Sequence, residues 1–266
     1  AFTLAEVFSP YYHSPRRVAF TLAEVLITLG IIGVVAAMTL PTLIANHQQK
    51  VTVTKLKKVY SILNQAYLRA QNDNGTIDNW GLSNSQFEEN PDTGEKEVGD
   101  QALNISMLFW SKLQPYLQVL KTCTDTTSDA QCETRTTYSL DGRKRYDSSV
   151  FRLILNDGAA LAGGWLTLSD CNTDKRKSCG DIFVDINGTA APNTYGRDIF
   201  YFWVFKDRIL PMGYAEDRYK FEDLCSRTSN GQSANGYACT AWVIFNENMD
   251  YLKCDDLSWS GKHKCK

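Results

Sequence analysis

The sequence predicts an α+β chain in which a long N-terminal membrane-spanning helix packs, further along, on a C-terminal antiparallel β-sheet stapled by disulfides. Three observations carry this expectation. An uncharged apolar run extends from Val25 to Ala45, and helical spacing resumes from Gln48 to Ala70. Beyond Arg145 the chain turns to short apolar and aromatic runs separated by turn residues, and all eight cysteines lie from Cys123 onward.

Residues 1–19 precede the apolar segment, and the expected processing point lies before that run. The heptapeptide AFTLAEV stands at 1–7 and again at 19–25, but the first copy is followed by FSPYYHSPRR, whose prolines and arginines cannot continue a membrane helix. Without an initiating Met, the true start is expected to lie elsewhere. Only the second copy runs on into apolar sequence, and from Val25 to Ala45 a helix rising about 1.5 Å per residue spans roughly 30 Å, the thickness of a bilayer's hydrocarbon core. Arg16 and Arg17 precede it, so the positive-inside bias puts the start of the chain in the cytoplasm and residues 46–266 on the far side. A secretory signal would have a shorter apolar core with a small-residue cleavage site after it. Glu24 stands at the mouth of the run. A carboxylate inside a membrane costs about 2.5–3.5 kcal/mol and calls for a cation, whereas one in the headgroup layer costs little. Pro41 marks a helix kink made tolerable by neighbouring groups.

The stretch FTLAEVLITLGIIGVVAAMTLPTLIA, residues 20–45, resembles the type IV pilin and type II secretion pseudopilin superfamily, whose precursors are cut by a prepilin peptidase just ahead of a Phe-Thr-Leu-x-Glu segment. The resemblance implies cleavage between Ala19 and Phe20, which removes residues 1–19 as a leader, with Ala19 standing where the family usually has Gly. It makes Phe20 the first mature residue, and Glu24, Gly33 and Pro41 fall where the family pattern expects those residue types. It gives Glu24 a partner, the free or N-methylated amine of a mature Phe20 in the same or a docking subunit. Pro41 becomes the point where the helix bends or melts on packing into a filament. Close packing at Gly30, Gly33, Ala36 and Ala37 would direct docking, because lipid tails are as apolar as Leu and burial alone gives little drive within a membrane.

Downstream, Leu56, Val59, Leu63, Ala66 and Ala70 share one helical stripe with Tyr60 and Tyr67 beside it, extending the membrane helix to about residue 72. Lys50, Lys55, Lys57 and Lys58 flank the start of this extension as a solvated face or as contacts for anionic lipid. Gly75 ends the helix, a polar loop is expected from Gly81 to Asp100, and a second helix from Gln101 to about Leu120 with a break near Pro115. Strands are predicted at 150–155, 159–166, 181–186, 197–205 and 240–245, the first two joined by a hairpin whose Asn156-Asp157-Gly158 turn supplies positive backbone angles.

An even cysteine count in an exported domain reads as disulfides. Small loops close easily, which favours the sequential pairs Cys123/Cys132, Cys171/Cys179, Cys225/Cys239 and Cys254/Cys265, with nesting of the last four as the alternative. Zinc is the competing reading, against which stand the absence of CxxC and the scattered His13, His47 and His263. Asp185, Asn187 and Asp198 place oxygen ligands of the type calcium prefers around a tight turn, and some pseudopilins use a calcium loop near their sheet. Turn chemistry alone accounts for the same residues.

A formal net charge of −2 gives no basic excess pointing to nucleic acid, and no GxSxG, HExxH or P-loop pattern points to an enzyme. The resemblance implies a structural subunit, minor or specialised, of a type IV pilus-like filament or type II secretion pseudopilus. Its partners would be other pilin or pseudopilin subunits, prepilin peptidase and an inner-membrane assembly platform. It would sit as a single-pass protein of a bacterial inner membrane and then enter a periplasmic or extracellular filament. The alternative is a signal-anchored exported binding domain that does not polymerise.

Overall fold

A computed structural model describes residues 21–82, 87–89, 96–98, 100–124, 132, 136–145, 151–166, 171, 178–228 and 231–265. The chain divides into two compact units, residues 1–47 and 48–266. Helix α1, Leu22–Asn74, is the one helix among the described residues long and apolar enough to cross a membrane. Pro41 lies inside it.

The second unit is α+β. After α1 come the short strands β1 (Phe87–Glu89) and β2 (Lys96–Val98), which pair as a hairpin inside the segment expected to be loop. Helix α2 covers Asp100–Leu113, and a 3-10 turn at Gln114–Tyr116 follows. The second helix was expected to reach about Leu120. It stops sooner because Pro115 has no N–H to donate and its ring blocks the carbonyl four residues back, so the chain leaves as strand β3, Val119–Cys123.

Strands β4 (Thr137–Tyr138) and β5 (Lys144–Arg145) form a second small hairpin. The main sheet is completed by β6 (Arg152–Leu155), β7 (Ala160–Leu166), β8 (Gly180–Asp185), β9 (Ile199–Val204) and β10 (Ile209–Pro211). Its order is β10-β9-β8-β7-β6-β3 with every pairing antiparallel, so five consecutive strands meander and β3 closes one edge. The turns fit the residues available, though in the β6–β7 hairpin Gly158 alone takes a positive φ, at 84°. Asn156 and Asp157 do not, and Gly188 does the same for the turn after β8 with φ 66°.

Alternation along the strands sends successive side chains to opposite faces. Ile182 and Val184 of β8, with Phe200, Phe202 and Val204 of β9, belong to the same core cluster as Leu56, Val59, Leu63, Ala66 and Tyr67 of α1. Tyr60 stacks on Phe202 at 5.5 Å. The Tyr67 hydroxyl donates to the Phe205 carbonyl at 2.7 Å, and burial pushes that phenol's pKa well up. Phe183, Ile199, Tyr201 and Trp203 face the other way into a second cluster with Tyr195 and Met212. Both faces of the sheet are therefore covered, which is why β9 reads as an unbroken apolar run.

The predicted strand at 240–245 is instead helical, within α4, Cys239–Asn246. A six-residue run of Thr, Ala, Trp, Val, Ile and Phe cannot distinguish strand from buried helix by periodicity. Here contacts on β9 and β10 bury Thr240 through Ile244 on successive sides, and the packing overrides the β preference of Val, Ile and Trp. A one-turn helix, α3 (Phe221–Leu224), precedes it, with Phe221 stacked on Trp242 at 4.1 Å.

Candidate functional site

Helix α1 starts with a reciprocal capping box, T-x-x-E. The Glu24 amide donates to Thr21 Oγ1 at 3.2 Å, and Glu24 Oε2 accepts from the Thr21 amide and the Thr21 hydroxyl, each at 2.8 Å. The box satisfies helix-end donors that have no intrahelical acceptor and fixes the first turn next to Phe20. Thr21 was not singled out from the sequence, although the T-x-x-E spacing ahead of an apolar run was the available signal. Ala19 and Phe20 lie outside the described residues.

The remaining polar side chains of 21–45 are also satisfied by the helix itself. Thr28 Oγ1 donates to the Val25 carbonyl, Thr39 Oγ1 to Val35 and Thr42 Oγ1 to Thr39, each at 2.9 Å. No hydroxyl is left needing water, the condition a helix must meet in hydrocarbon. The apolar side chains are bare. Leu26, Ile27, Ile31, Ile32 and Met38 are each more than 60% exposed, and none of the most apolar window is buried. A surface of this extent is an interaction surface. At Gly30 and Gly33 no atom comes within 4 Å of where a Cβ would stand, leaving two flat spots on the helix.

In the second unit the eight cysteines pair sequentially as Cys123–Cys132, Cys171–Cys179, Cys225–Cys239 and Cys254–Cys265, and no cysteine is free. Two of the lysines at the start of the helix extension have protein partners. Lys57 pairs with Glu247 just past α4, and Lys58 Nζ lies 2.8 Å from Asp157 Oδ2 in the β6–β7 turn.

Asp185, Asn187 and Asp198 do converge on the turn after β8. Asp198 Oδ1 accepts the Thr194 amide at 2.6 Å and Oδ2 the Asn193 amide at 2.7 Å, while Asp185 Oδ1 accepts the Asn187 amide at 3.1 Å. Burial pushes the Asp198 carboxyl above its usual range in spite of these bonds. Of the remaining oxygens, Asn187 Oδ1 is buried without a partner. Calcium takes six to eight oxygens, and carboxylates already committed to backbone amides are a turn lock rather than such a cage. Among the described residues no group of three or more His, Cys, Asp or Glu stands close enough to hold a metal.

No curated protein and no solved structure matches the chain. A family match starts at Thr42, just past Pro41 and at the end of the stretch 20–45, and runs through β10 to Glu216, about two-thirds of the chain. The chain therefore belongs to the family of unknown function DUF6613, matched over residues 42–216.

Proposed function

We propose that the chain is a structural subunit, minor or specialised, of a type IV pilus-like filament or type II secretion pseudopilus. Its role is assembly rather than catalysis. The observation that carries this reading is the bare apolar start of α1, whose hydroxyls are all satisfied internally and whose single carboxylate, Glu24, sits in its first turn. The subunit waits in a bacterial inner membrane with its N-terminus in the cytoplasm and its second unit exported. Prepilin peptidase cuts ahead of Phe20, and an assembly platform extracts the helix so that it packs against other subunits. Exchange of lipid for helix contacts is nearly neutral, so Glu24 and the flat spots at Gly30 and Gly33 set the register. The cysteine-stapled second unit favours a specialised subunit over a bulk one.

A second reading has its own support. The Thr21 cap gives Glu24 hydrogen-bond donors within its own chain, as a simple exported binding domain on a signal anchor would require. Glu24→Ala separates the two. Removing a charge from an apolar helix eases its residence in lipid, so the variant reaches the membrane normally. The filament reading expects it to be absent from sheared surface filaments, with Glu24→Gln as the near-isosteric control. Normal incorporation of both variants would leave Glu24 as a helix cap with no registering role.

A further inference from the structure

One side of α1 carries Lys55, Lys58, Ile62, Gln65 and Arg69 at helical spacing, all exposed or half-buried. Together with Tyr116, Gln118 and the β6–β7 turn, this side encloses a groove of about 440 Å³. Its floor is apolar, from Ile62, Ala66 and Leu155, and its rim carries two cations, Lys58 and Arg69, against one carboxylate, Asp157, which pairs with Lys58, so the net positive charge lies toward Arg69. Beside it runs β3, which pairs with β6 alone and so leaves its other backbone edge open among the described strands. Gln118 and Thr122 are exposed along that strand, and Leu120 between them is 59% exposed.

An apolar floor, a rim of net positive charge at Arg69 and an open strand edge suit one kind of occupant, an extended acidic peptide with an apolar side chain. Main-chain bonds to the edge would supply affinity, and the floor and rim would select the side chains. The chain itself holds such a peptide. Residues 87–100, FEENPDTGEKEVGD, carry six carboxylates against a single lysine and begin with Phe87, and the hairpin of β1 and β2 lies within them.

Building on the filament reading above, we propose that the acidic β1–β2 hairpin of one copy seats in the α1/β3 groove of the next. Hairpin and groove are different patches of the same chain. Such a heterologous contact does not close on itself as an isologous dimer does, and it propagates into a ring or a helical filament. The exported units would thereby carry a register of their own alongside the membrane helices.

The test uses the full chain in membranes and sheared filaments, with a photo-crosslinking amino acid in place of Gln118 and two differently tagged copies in one cell. Crosslinked dimers should join position 118 of one copy to the peptide 87–100 of the other, while the same probe at exposed Phe245 should not. Arg69→Glu should cut the yield by at least about tenfold, the equivalent of one close charge pair, and adding Glu88→Lys and Glu89→Lys should restore it. Unchanged tryptophan fluorescence would verify that each variant folds. Crosslinks within one chain, to lipid or to an unrelated protein, or failure of the reversed charges to rescue, would overturn the proposal. The N-terminus is read in the same samples. Filaments that start at Phe20 but lack the 118 to 87–100 crosslink refute the groove alone. An uncut chain that never enters filaments refutes the filament reading and this contact with it.

Discussion

Replacing Leu63 by Ala removes three side-chain carbons from a position sealed between α1 and the sheet, where Leu63 is 0% exposed. At about 0.8 kcal/mol per buried methylene the transfer loss is roughly 2.4 kcal/mol. The residual cavity raises it to about 3–4 kcal/mol, since the β-sheet cannot collapse onto the helix freely. Leu68, five residues further along the same helix, is 55% exposed and loses less than half as much buried surface, so Leu68→Ala should cost about 1 kcal/mol or less. Helix propensity separates the two variants by nothing, because the chemical change is identical. The assay is urea unfolding of the detergent-solubilised full chain, read by tryptophan fluorescence. All six tryptophans lie from Trp80 onward and report the second unit alone. With a slope of 1–3 kcal/mol per molar urea, Leu63→Ala should lower the midpoint by about 1–4 M. Equal shifts for both variants would refute the claim that this stripe of α1 is part of the core of the second unit.

Three further outcomes follow from the side chains described. Non-reducing peptide mapping of the full chain should find the four sequential disulfides and no free thiol, and loss of any one should cost about 3 kcal/mol in the chain-entropy account. Stoichiometric zinc on reduced cysteines would contradict this. Burial pushes the Asp157 carboxyl up, but the Lys58 hydrogen bond, the Ala159 amide and the charges of Lys58 and Lys55 outweigh it and hold the group below its usual range. A depressed carboxyl stabilises above its ordinary value near pH 4 and loses that contribution as pH falls through the folded one. The deficit of Lys58→Met, at most about 1 kcal/mol for so exposed a pair, should accordingly be present at pH 7 and fade as acidification takes the pH through the depressed value. Asp198 has the opposite sign: its carboxyl is raised by burial, so its contribution declines as pH climbs from about 4 through the raised value, and Asp198→Asn should flatten that slope. An unchanged slope would mean that Asp198 does not titrate with folding.

The elements legible in the sequence were those whose pattern had a single physical solution. The α1 stripe from Leu56 to Ala70 repeats at helical spacing and is buried along that stripe, and the strand runs that became β6 to β9 are bounded by turn residues. Two segments were misread where tertiary packing decides. Residues 240–245 have strand-forming side chains, but a site covered on all sides accepts a helix equally well, and contacts on β9 and β10 select it. Residues 119–123 continue the apolar content of α2, yet the stop at Pro115 hands them to the sheet edge. Asp198 was legible as a turn residue, whereas its burial, which raises its carboxyl, was not, because the Asn193–Thr194 turn it locks pairs with Tyr138 of the small β4–β5 hairpin, distant in sequence. The α1/β3 groove was not legible at all, because its walls come from three segments joined only by folding.

The central claim, that the apolar start of α1 is a processed assembly segment, rests on one bond. Mass spectrometry of the chain extracted from membranes of its own cells should find a mature N-terminus at Phe20, methylated on its amine, with residues 1–19 absent. Recovery solely of chains that retain Ala19 would contradict the claim and leave a signal-anchored exported domain.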